Sequence, residues 1–514
     1  MSEPPSEIFD LLIVGGGING AGIARDAAGR GLSVLLVEQD DLAAHTSSAS
    51  TKLIHGGLRY LEFYEFSLVR KALAEREVLF GIAPHIMYPL RFVMPHDASL
   101  RPAWMIRAGL FLYDHLARRR TLQSSRGIDL RTHPAGTPLR DTYRRGFEYA
   151  DGWVDDARLV VLNALDAHER GARIRTRTRC ERLQPLPTET GEMLWSAALR
   201  RTTGEDELVR ARAVVNATGP WAAALHDAAV PGKSKHGLRL IKGSHIVVPR
   251  LFEHDYAYIL QASDRRIVFA IPYEGQFTLI GTTDVEYHGD PHAPQIDRNE
   301  IAYLCAEASR YFRKPVHTDD VVWTYSGVRP LLEDESADAR AVTRDYALEL
   351  QQTPAPLLSV FGGKITTYRV LAEEVMDRLA PLLGCTRTAW SGNAPLPGGD
   401  LAPSFEDFLH TLMRRYPQHR RALLERWARA YGSRVTQLLD ESDSGNVLGR
   451  EVAPDLYEAE LRYLVAREWA VTADDVLWRR SKLGLRLHAD AVRAVDEWLS
   501  VYAESIRGRS CGRS

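Results

Sequence analysis

A glycine-rich turn between two apolar strands, near the start of the chain, constrains its fold more than any other feature. Residues 11–14 are an unbroken apolar run, typical of a strand buried on both faces, and residues 32–37 repeat it after a gap of helix length. Gly15, Gly17 and Gly20 lie between them, at the spacing that lets backbone approach a pyrophosphate and a helix pack on its strand. The pattern predicts a βαβ unit that binds a dinucleotide. An ordinary βαβ unit is the alternative.

The residues after this turn indicate which dinucleotide it would bind. A helix beginning near Ile18 would direct its free N–H groups at the phosphates. Glu38 ends the second strand, where its carboxylate can accept hydrogen bonds from a ribose and would repel a 2′-phosphate. The sequence therefore favours FAD or NAD over NADP.

Composition bounds the class of protein. The chain has 514 residues, 45% of them hydrophobic and 26% charged, which is typical of a globular protein of about three domains. Its formal net charge of -2 gives no support for nucleic-acid binding. The four cysteines are far apart, so we expect neither a disulfide framework nor a metal cluster. We expect a cytoplasmic protein, because the sequence shows neither a signal peptide nor an uncharged apolar run of about 18 residues.

Hydroxyl, glycine and basic residues crowd into residues 46–61. Small hydroxyl residues and glycines allow close approach to a ligand, while Lys52, His55 and Arg59 can serve an anion or a proton transfer. The alternative is a capped turn leading into a helix near residues 68–80.

Two later strand ends are candidates for further contacts with the same cofactor. One apolar strand ends in Ala217, Thr218 and Gly219. Another ends in Gly362 and Gly363 and is followed by a helix, so its backbone N–H groups can face the cofactor. The nucleotide-binding domain is therefore predicted to be discontinuous in sequence.

The sequence predicts an α/β fold with three parts, which are a dinucleotide-binding domain, a β-rich second domain and a C-terminal all-α domain. The expected bounds are 8–80, 146–235 and 355–390 for the dinucleotide-binding domain, 81–145 and 236–354 for the β-rich domain, 391–403 for a linker and 404–510 for the helical domain.

Residues 101–120 form an apolar segment with aromatic side chains and basic ends. Trp104, Phe111 and Tyr113, with the arginines at 118–120, suit a helix lying in a lipid headgroup layer. A core helix followed by a solvated arginine run is the alternative.

Six segments, together and in order, resemble the aerobic, FAD-dependent glycerol-3-phosphate dehydrogenases of bacteria over about residues 8–500. These segments are 15–38, 48–60, 241–248, 281–285, 325–330 and 361–369. The resemblance implies that the first of the three parts is a Rossmann-like FAD-binding domain and the second a β-rich substrate-capping domain. It implies oxidation of sn-glycerol 3-phosphate to dihydroxyacetone phosphate by hydride transfer to FAD, with electrons passed to membrane ubiquinone or menaquinone. It also implies peripheral contact with the cytoplasmic face of the membrane, and a homodimer is one assembly to consider. We expect the FAD to be bound without a covalent link.

The resemblance also implies a set of site residues. The expected catalytic residues are His55 and Arg329, and the expected substrate-binding residues are Arg59, Tyr60, Arg266, Thr283, Arg344 and Lys364. The expected cofactor-binding residues are Gly15, Gly17, Asn19, Gly20, Glu38, Ser47, Ser48, Lys52, Leu53, His55, Gly57, Ala217, Thr218, Gly219, Gly362, Gly363, Lys364 and Thr366. An excess of Arg and Lys suits a phosphate dianion, whose hydration they replace with charge-assisted hydrogen bonds.

Two other classes of protein fit parts of the sequence. An amine oxidase of the same broad flavoprotein type would need fewer phosphate anchors than the arginines provide. A non-enzymatic dinucleotide sensor explains the glycine turn but leaves the cationic loops unexplained.

Overall fold

The computed structural model describes residues 7–96, 102–264, 266–333, 345–440 and 448–511. The described strands are β1 (Ile8–Val14), β2 (Val34–Val37), β3 (Leu53–Ile54), β4 (Met87–Pro95), β5 (Arg126–Asp129), β6 (Arg145–Val154), β7 (Arg173–Arg175), β8 (Thr178–Pro187), β9 (Met193–Arg201), β10 (Asp206–Asn216), β11 (Leu238–Pro249), β12 (Ala257–Gln261), β13 (Ile267–Tyr273), β14 (Phe277–Gly281), β15 (Val285–Glu286), β16 (Trp323–Leu332), β17 (Tyr346–Gln351), β18 (Leu357–Gly362), β19 (Glu451–Ala453) and β20 (Leu456–Tyr457). The described helices are α1 (Ile18–Gly29), α2 (Phe66–Ile82), α3 (Ala103–His115), α4 (Asp156–Glu169), α5 (Ala222–Ala229), α6 (Arg298–Tyr311), α7 (Tyr368–Leu383), α8 (Phe405–Arg415), α9 (Arg421–Tyr431), α10 (Val435–Asp440), α11 (Glu458–Glu468) and α12 (Ala489–Cys511).

The first sheet carries the predicted βαβ unit. Its parallel strands run in the order β18-β10-β1-β2-β7, β17 joins antiparallel at one edge, and β8 and β9 extend from β10 as a meander. Val14 pairs with Val37 of β2 and Asn216 of β10, so three strands end side by side. Helices α1, α4 and α7 pack together over one face, around an apolar core that includes Leu11 and Ile13. The fold therefore gathers several loops at one edge of the sheet.

The second sheet is larger and mixed. Its ten strands run β15-β11-β14-β13-β12-β4-β6-β3, with β16 paired to β11 and β5 to β6. Helix α6 covers the outer face, where Leu304, Ala308 and Tyr311 join the core formed with Ile246. Asp297 caps this helix reciprocally with Glu300. Part of the inner face packs against α2 and α3, and β16 contacts the loop that follows β2 of the first sheet, where Thr46 donates to the Val328 carbonyl.

The C-terminal helices α8 to α12 enclose a separate core around Trp427. Buried ion pairs attach this part to the first sheet, because Asp41 accepts hydrogen bonds from Arg480 and Arg158 pairs with Glu468. Among the described residues, none of the helices combines the length and the apolar character that a bilayer span requires.

Three strands belong to a different sheet from the one that the expected domain bounds imply. β3 and β6 pair with each other in the second sheet, although the residues of β3 and nearly all of those of β6 fall in the range expected for the first domain. β17 pairs with β18 in the first sheet, although it was expected in the capping domain. Local patterning identifies a strand but not its partner. The predicted linker is also packed, since Arg25 of α1 donates to the carbonyls of Ser391 and Ala394.

Candidate active site

A cavity of about 390 Å³ opens at the carboxyl ends of β1, β2, β10 and β18. The carboxyl edge of a parallel sheet is where ligands bind in open α/β folds. The predicted cofactor-binding residues that line it are Gly15, Gly17, Asn19, Glu38, Ser47, Ala217, Thr218, Gly219, Gly362 and Gly363. Sequence reasoning missed the start of β8 (178–181), which also lines this cavity and whose polar residues give no motif signal.

The glycine turn is shaped so that side chains cannot be added to it. Gly15 has a φ of 113°, and a Cβ there would lie 2.5 Å from the carbonyl oxygen of Ala217. A Cβ on Gly20 would lie 1.9 Å from the carbonyl oxygen of Gly15, so only glycine lets α1 start so close to the strand end. The turn therefore brings bare backbone to the cavity wall.

The carboxylate of Glu38 is fixed in the wall of the cavity. Its Oε2 accepts a hydrogen bond from the Gly16 amide at 2.6 Å and its Oε1 accepts one from the Asp40 amide at 2.9 Å. Burial raises the pKa of this carboxyl, and the two amide donors act in the opposite direction. Each oxygen keeps a further lone pair, so the group can also accept hydrogen bonds from ribose hydroxyls.

The start of α1 fits the diphosphate of a dinucleotide. The first turn carries no acidic residue, so the positive end of the helix dipole is not neutralised there. The Ile18 amide donates to Ser47 Oγ at 3.0 Å, which anchors the next loop to the helix. Asn19 Oδ1 is buried without a hydrogen-bond partner among the described residues, while its Nδ2 donates to the Gly362 carbonyl at 3.2 Å. A buried acceptor of this kind is normally satisfied, and a hydroxyl or N–H group of a bound cofactor would satisfy this one.

The loop of residues 46–60 touches both sheets. The hydroxyl of Thr51 lies 3.0 Å from Nε2 of His245 on β11, and the amide of His55 donates to Thr366 Oγ1, after β18, at 3.3 Å. This loop, which includes Arg59, therefore brings His55 and Tyr60 between the glycine turns of the first sheet and the inner face of the second.

Arg329 lies on the inner face of β16 and is held in one orientation. It donates to Asp284 Oδ1 at 2.7 Å and to the carbonyl oxygen of Thr283 at 2.9 Å. Its guanidinium passes over Gly243, where a Cβ would come within 1.9 Å of Nη2. A guanidinium has more N–H donors than these bonds use, so Arg329 can still bind a substrate oxygen.

Sequence reasoning did not select His245, although it lies within one of the six motif segments. Its ring stacks on Tyr325 with centroids 4.6 Å apart, and a Cβ on Gly281 would come within 2.0 Å of it. Burial holds the pKa of this imidazole well below its usual value, and Arg329 and Lys52 act in the same direction. His245 is therefore neutral and can accept a hydrogen bond, but its lowered pKa makes it a weak base. The available signal was a histidine directly before the apolar residues 246–249.

Lys364 and Tyr60 meet on the side of the first sheet. Nζ of Lys364 lies 3.9 Å from the centroid of the Tyr60 ring, a cation–π contact that holds the ammonium next to the 46–60 loop. Gly57, with a φ of 77°, allows that ring to pack against it, since a Cβ there would lie 2.2 Å from Tyr60. Lys364 directly follows Gly363, at the junction that lines the cavity.

Two residues expected to bind substrate lie on the other side of the second sheet. Thr283 donates to Glu300 of α6 at 2.7 Å, and Arg266 pairs with Asp264 at 2.6 Å and lies 4.2 Å from the ring of Tyr303, also on α6. Both side chains are directed towards the outer face, away from His245. We therefore leave Arg266 and Thr283 out of the site. Arg344 lies outside the described residues.

Other expected cofactor residues lie beneath or beside the cavity. Nζ of Lys52 is buried in an ion pair with Asp156 at 2.7 Å and also donates to the carbonyl oxygen of Ser48. Ser48 and Lys52 line a second cavity of about 310 Å³ beside the first. Leu53 is buried in β3. The expected cofactor residues that do not line the first cavity are Gly20, Ser48, Lys52, Leu53, His55, Gly57, Lys364 and Thr366.

A parallel sheet with a bare glycine turn, an acid at the next strand end and a cationic inner face opposite defines an α/β enzyme that uses a dinucleotide cofactor. The chain belongs to the FAD-dependent oxidoreductases. The family model described as FAD dependent oxidoreductase matches residues 10–369, and the one described as C-terminal domain of alpha-glycerophosphate oxidase matches residues 390–507. These matches confirm the predicted fold class and the cofactor, FAD.

Similar proteins extend over almost the whole chain. A glycerol-3-phosphate dehydrogenase of Pseudomonas aeruginosa is 55% identical, over 95% of this chain and 94% of that protein. A D-erythritol 1-phosphate dehydrogenase of Brucella abortus is 50% identical, over 97% and 98%. The crystal structure of the glycerol-3-phosphate dehydrogenase from Bacillus halodurans complexed with FAD has a TM-score of 0.77 and 28% identity, over 96% of this chain and 91% of that one. The resemblance noted from the sequence is thus confirmed.

Proposed function

We propose that this protein oxidises sn-glycerol 3-phosphate to dihydroxyacetone phosphate, with FAD accepting the hydride. The observation that carries the proposal is the cationic, partly enclosed space in which Arg329 and neutral His245 face the 46–60 loop. Oxidation of a secondary alcohol needs a group that takes or stabilises the hydroxyl proton and anchors that orient the substrate. The chain provides both kinds of group beside the cofactor cavity.

The proposed division of work follows from how each side chain is held. Arg329 is fixed by Asp284, so its charge can stabilise developing alkoxide without reorganising. His55 is kept as a proposed catalytic residue, and His245 joins it because its imidazole is neutral. Arg59 and Lys364 are the proposed phosphate anchors, because Arg59 is a cation of the 46–60 loop and the ammonium of Lys364 lies against Tyr60 in the same loop.

A second phosphorylated polyol is a candidate substrate. The D-erythritol 1-phosphate dehydrogenase is 50% identical to this chain over nearly its full length. The two substrates share a secondary alcohol and a phosphate and differ in chain length, so the same groups serve both. The comparison of substrates therefore belongs in the experiment.

Flavin bleaching under anaerobic conditions tests the proposed reaction. The purified yellow holoenzyme is mixed with glycerol 3-phosphate, D-erythritol 1-phosphate, glycerol or an amino acid. We expect the fastest bleaching with glycerol 3-phosphate and slow bleaching with glycerol, which has no phosphate to bind. Bleaching by the amino acid alone indicates an amine oxidase, and no bleaching by any compound contradicts an enzyme of this class.

Membrane contact is proposed through a surface formed by α3 and the preceding loop. Trp104 and Phe111 of α3 are 71% and 58% exposed, and Tyr64 of the neighbouring loop is 80% exposed. Ile106 and Leu110 lie on the buried side of the same helix, whereas Trp104 and Phe111 are exposed, so α3 is not simply a core helix. Exposed aromatic side chains on one side of a helix suit a lipid interface. We propose that this surface gives the flavin access to ubiquinone or menaquinone in the membrane.

Vesicle sedimentation tests the membrane proposal. We expect wild type to pellet with anionic vesicles and a Trp104→Ser, Phe111→Ser double variant to remain in the supernatant. Leu208→Ser is the matched control, because Leu208 is 65% exposed but lies on β10. Unchanged pelleting of the double variant would exclude α3 as the contact. A homodimer is part of the same proposal, to be tested by light scattering of the holoenzyme.

A further inference from the structure

We propose that Asp40, His45 and His292 bind one Zn²⁺ ion at the mouth of the cofactor cavity. One carboxylate oxygen and two imidazole nitrogens, one from each residue, all lie within 4.8 Å of one another. Donors so spaced can reach one ion at about 2.0–2.2 Å after small side-chain rotations. The proposed function uses none of these three side chains.

The backbone under the first two ligands is already fixed. The amide of Asp40 donates to Glu38 Oε1 at 2.9 Å, next to the glycine turn. His45 Nε2 lies 2.8 Å from Asp40 Oδ2, so the ion would replace the proton that these two atoms share. Arg177, whose charge also acts on Asp40, is already paired with Asp475 at 2.6 Å.

His292 has the support that metal-binding histidines commonly have. Its Nδ1 lies 2.8 Å from Asp290 Oδ1, and its backbone amide donates to the same oxygen at 3.0 Å. A histidine that gives its Nδ1 proton to a carboxylate keeps a lone pair on Nε2 for the metal. That lone pair now accepts a hydrogen bond from the side-chain amide Nε2 of Gln39 at 2.9 Å. The ion would displace this hydrogen bond.

The donor set favours zinc over the hard cations. Two imidazoles and one carboxylate suit Zn²⁺, whereas Ca²⁺ and Mg²⁺ prefer oxygen ligands throughout. Three protein ligands leave a fourth position open. Since His45 and His292 line both cavities, this position is accessible from the space where the cofactor binds.

The ion would join two parts of the chain that are distant in sequence. Asp40 and His45 follow β2 of the first sheet, whereas His292 lies between β15 and α6, in the part of the chain that forms the second sheet. Residues 291–294 also line the second cavity. Zinc bound here would hold this segment across the mouth of the cofactor cavity, so we expect it to slow FAD release.

The test uses the FAD-loaded full-length protein and measures metal binding apart from turnover. Isothermal titration with Zn²⁺ gives stoichiometry and affinity, and Co²⁺ absorption reports the coordination geometry. His292→Gln and Asp40→Asn each remove one ligand, and Asp290→Asn removes only the partner of His292. The control is His288→Gln, the same substitution four residues earlier on an exposed histidine outside the cluster.

We expect one Zn²⁺ per chain and a tetrahedral Co²⁺ spectrum in wild type and His288→Gln. Both ligand variants should lose the spectrum, and Asp290→Asn should weaken affinity by about 10- to 100-fold. Zn²⁺ should also slow FAD loss on dilution in wild type but not in His292→Gln. Binding that both ligand variants retain, or no saturable binding by wild type, would overturn the proposal. Because no substrate is present, either result is independent of the proposed reaction.

Discussion

Replacing Arg329 separates alkoxide stabilisation from phosphate binding. In the structure its guanidinium donates to Asp284 Oδ1, the Thr283 carbonyl and Thr282 Oγ1, at 2.7, 2.9 and 3.2 Å. These bonds fix its charge before substrate arrives, and charge fixed in this way stabilises a transition state most effectively. Loss of one such donor costs about 2.7–4 kcal/mol, a decrease of about 10²- to 10³-fold in kcat. We therefore expect Arg329→Ala to slow flavin reduction by about 10²-fold or more at saturating glycerol 3-phosphate.

Stopped-flow flavin bleaching measures this step directly, since re-oxidation by quinone does not enter. Arg329→Lys keeps the positive charge but has no planar fork to span the same acceptors, so its rate should fall between wild type and Arg329→Ala. A phosphate anchor behaves differently, because uniform binding raises KM with little change in kcat. Arg59→Ala should therefore weaken glycerol 3-phosphate binding and leave the slow oxidation of glycerol almost unchanged.

Arg266→Ala is the matched control, since the sequence assigns Arg266 to the substrate and the structure pairs it with Asp264 on the outer face. We expect wild-type kcat and KM for this variant. Flavin content and melting temperature of all variants show whether a rate loss reflects misfolding. If Arg329→Ala changes only KM and leaves glycerol oxidation untouched, Arg329 anchors phosphate and the reasoning is refuted. A raised KM in Arg266→Ala would refute its assignment to the outer face.

Three further predictions concern the cofactor and the packing around it. Glu38→Ala should weaken FAD retention by about 10- to 100-fold, because a hydrogen bond to a charged group contributes about 1.5–3 kcal/mol to binding. Gel filtration followed by flavin absorbance measures the loss of FAD. Burial lowers the pKa of His85 from 6.5 to about 3, so the unfolded chain takes up the proton first and stability falls as pH drops below 6.5. At pH 5 the free energy of unfolding is lower by ~2 kcal/mol for this reason. His85→Gln has no titrating group at this position, so denaturant unfolding should show a smaller decrease in its free energy of unfolding between pH 7.5 and 5 than in wild type. Asp41→Asn should reduce the free energy of unfolding by about 3–5 kcal/mol, because it leaves the guanidinium of Arg480 buried without its anion; an unchanged urea midpoint would contradict this.

The nucleotide-binding unit was predictable because its signals are local. The strand, Gly15, Gly17, Gly20 and Glu38 fall within one short stretch, and each residue type has a steric or electrostatic reason to be there. The structure shows these reasons as distances, such as the 1.9 Å between a Cβ on Gly20 and the Gly15 carbonyl oxygen. Short-range constraints of this kind do not depend on how the rest of the chain folds.

The sheet that receives each strand was less predictable. β6 pairs with β4, which is distant in sequence, so packing between distant parts of the chain selects its partner; β17 forms a hairpin with the next strand, β18, and the expected boundary at residue 355 falls in the turn between them. The proposed zinc ligands had no sequence signal for the same reason, since His292 approaches Asp40 only after both sheets have formed.

The orientation of the cationic side chains shows where motif transfer fails. A motif assigns a residue to a segment, whereas function depends on which face of a strand the side chain occupies, and neighbouring residues point to opposite faces. Arg329 pairs across the strands with Ile241, and Gly243 and His245 follow on the same inner face, whereas Thr283 donates to Glu300 on the outer one. The outer residues still contribute, because the hydroxyl of Thr283 accepts from the Ser244 amide, next to His245. We therefore expect Thr283 to act on the site through the backbone of β11, and its loss to disturb the position of His245 more than the binding of phosphate.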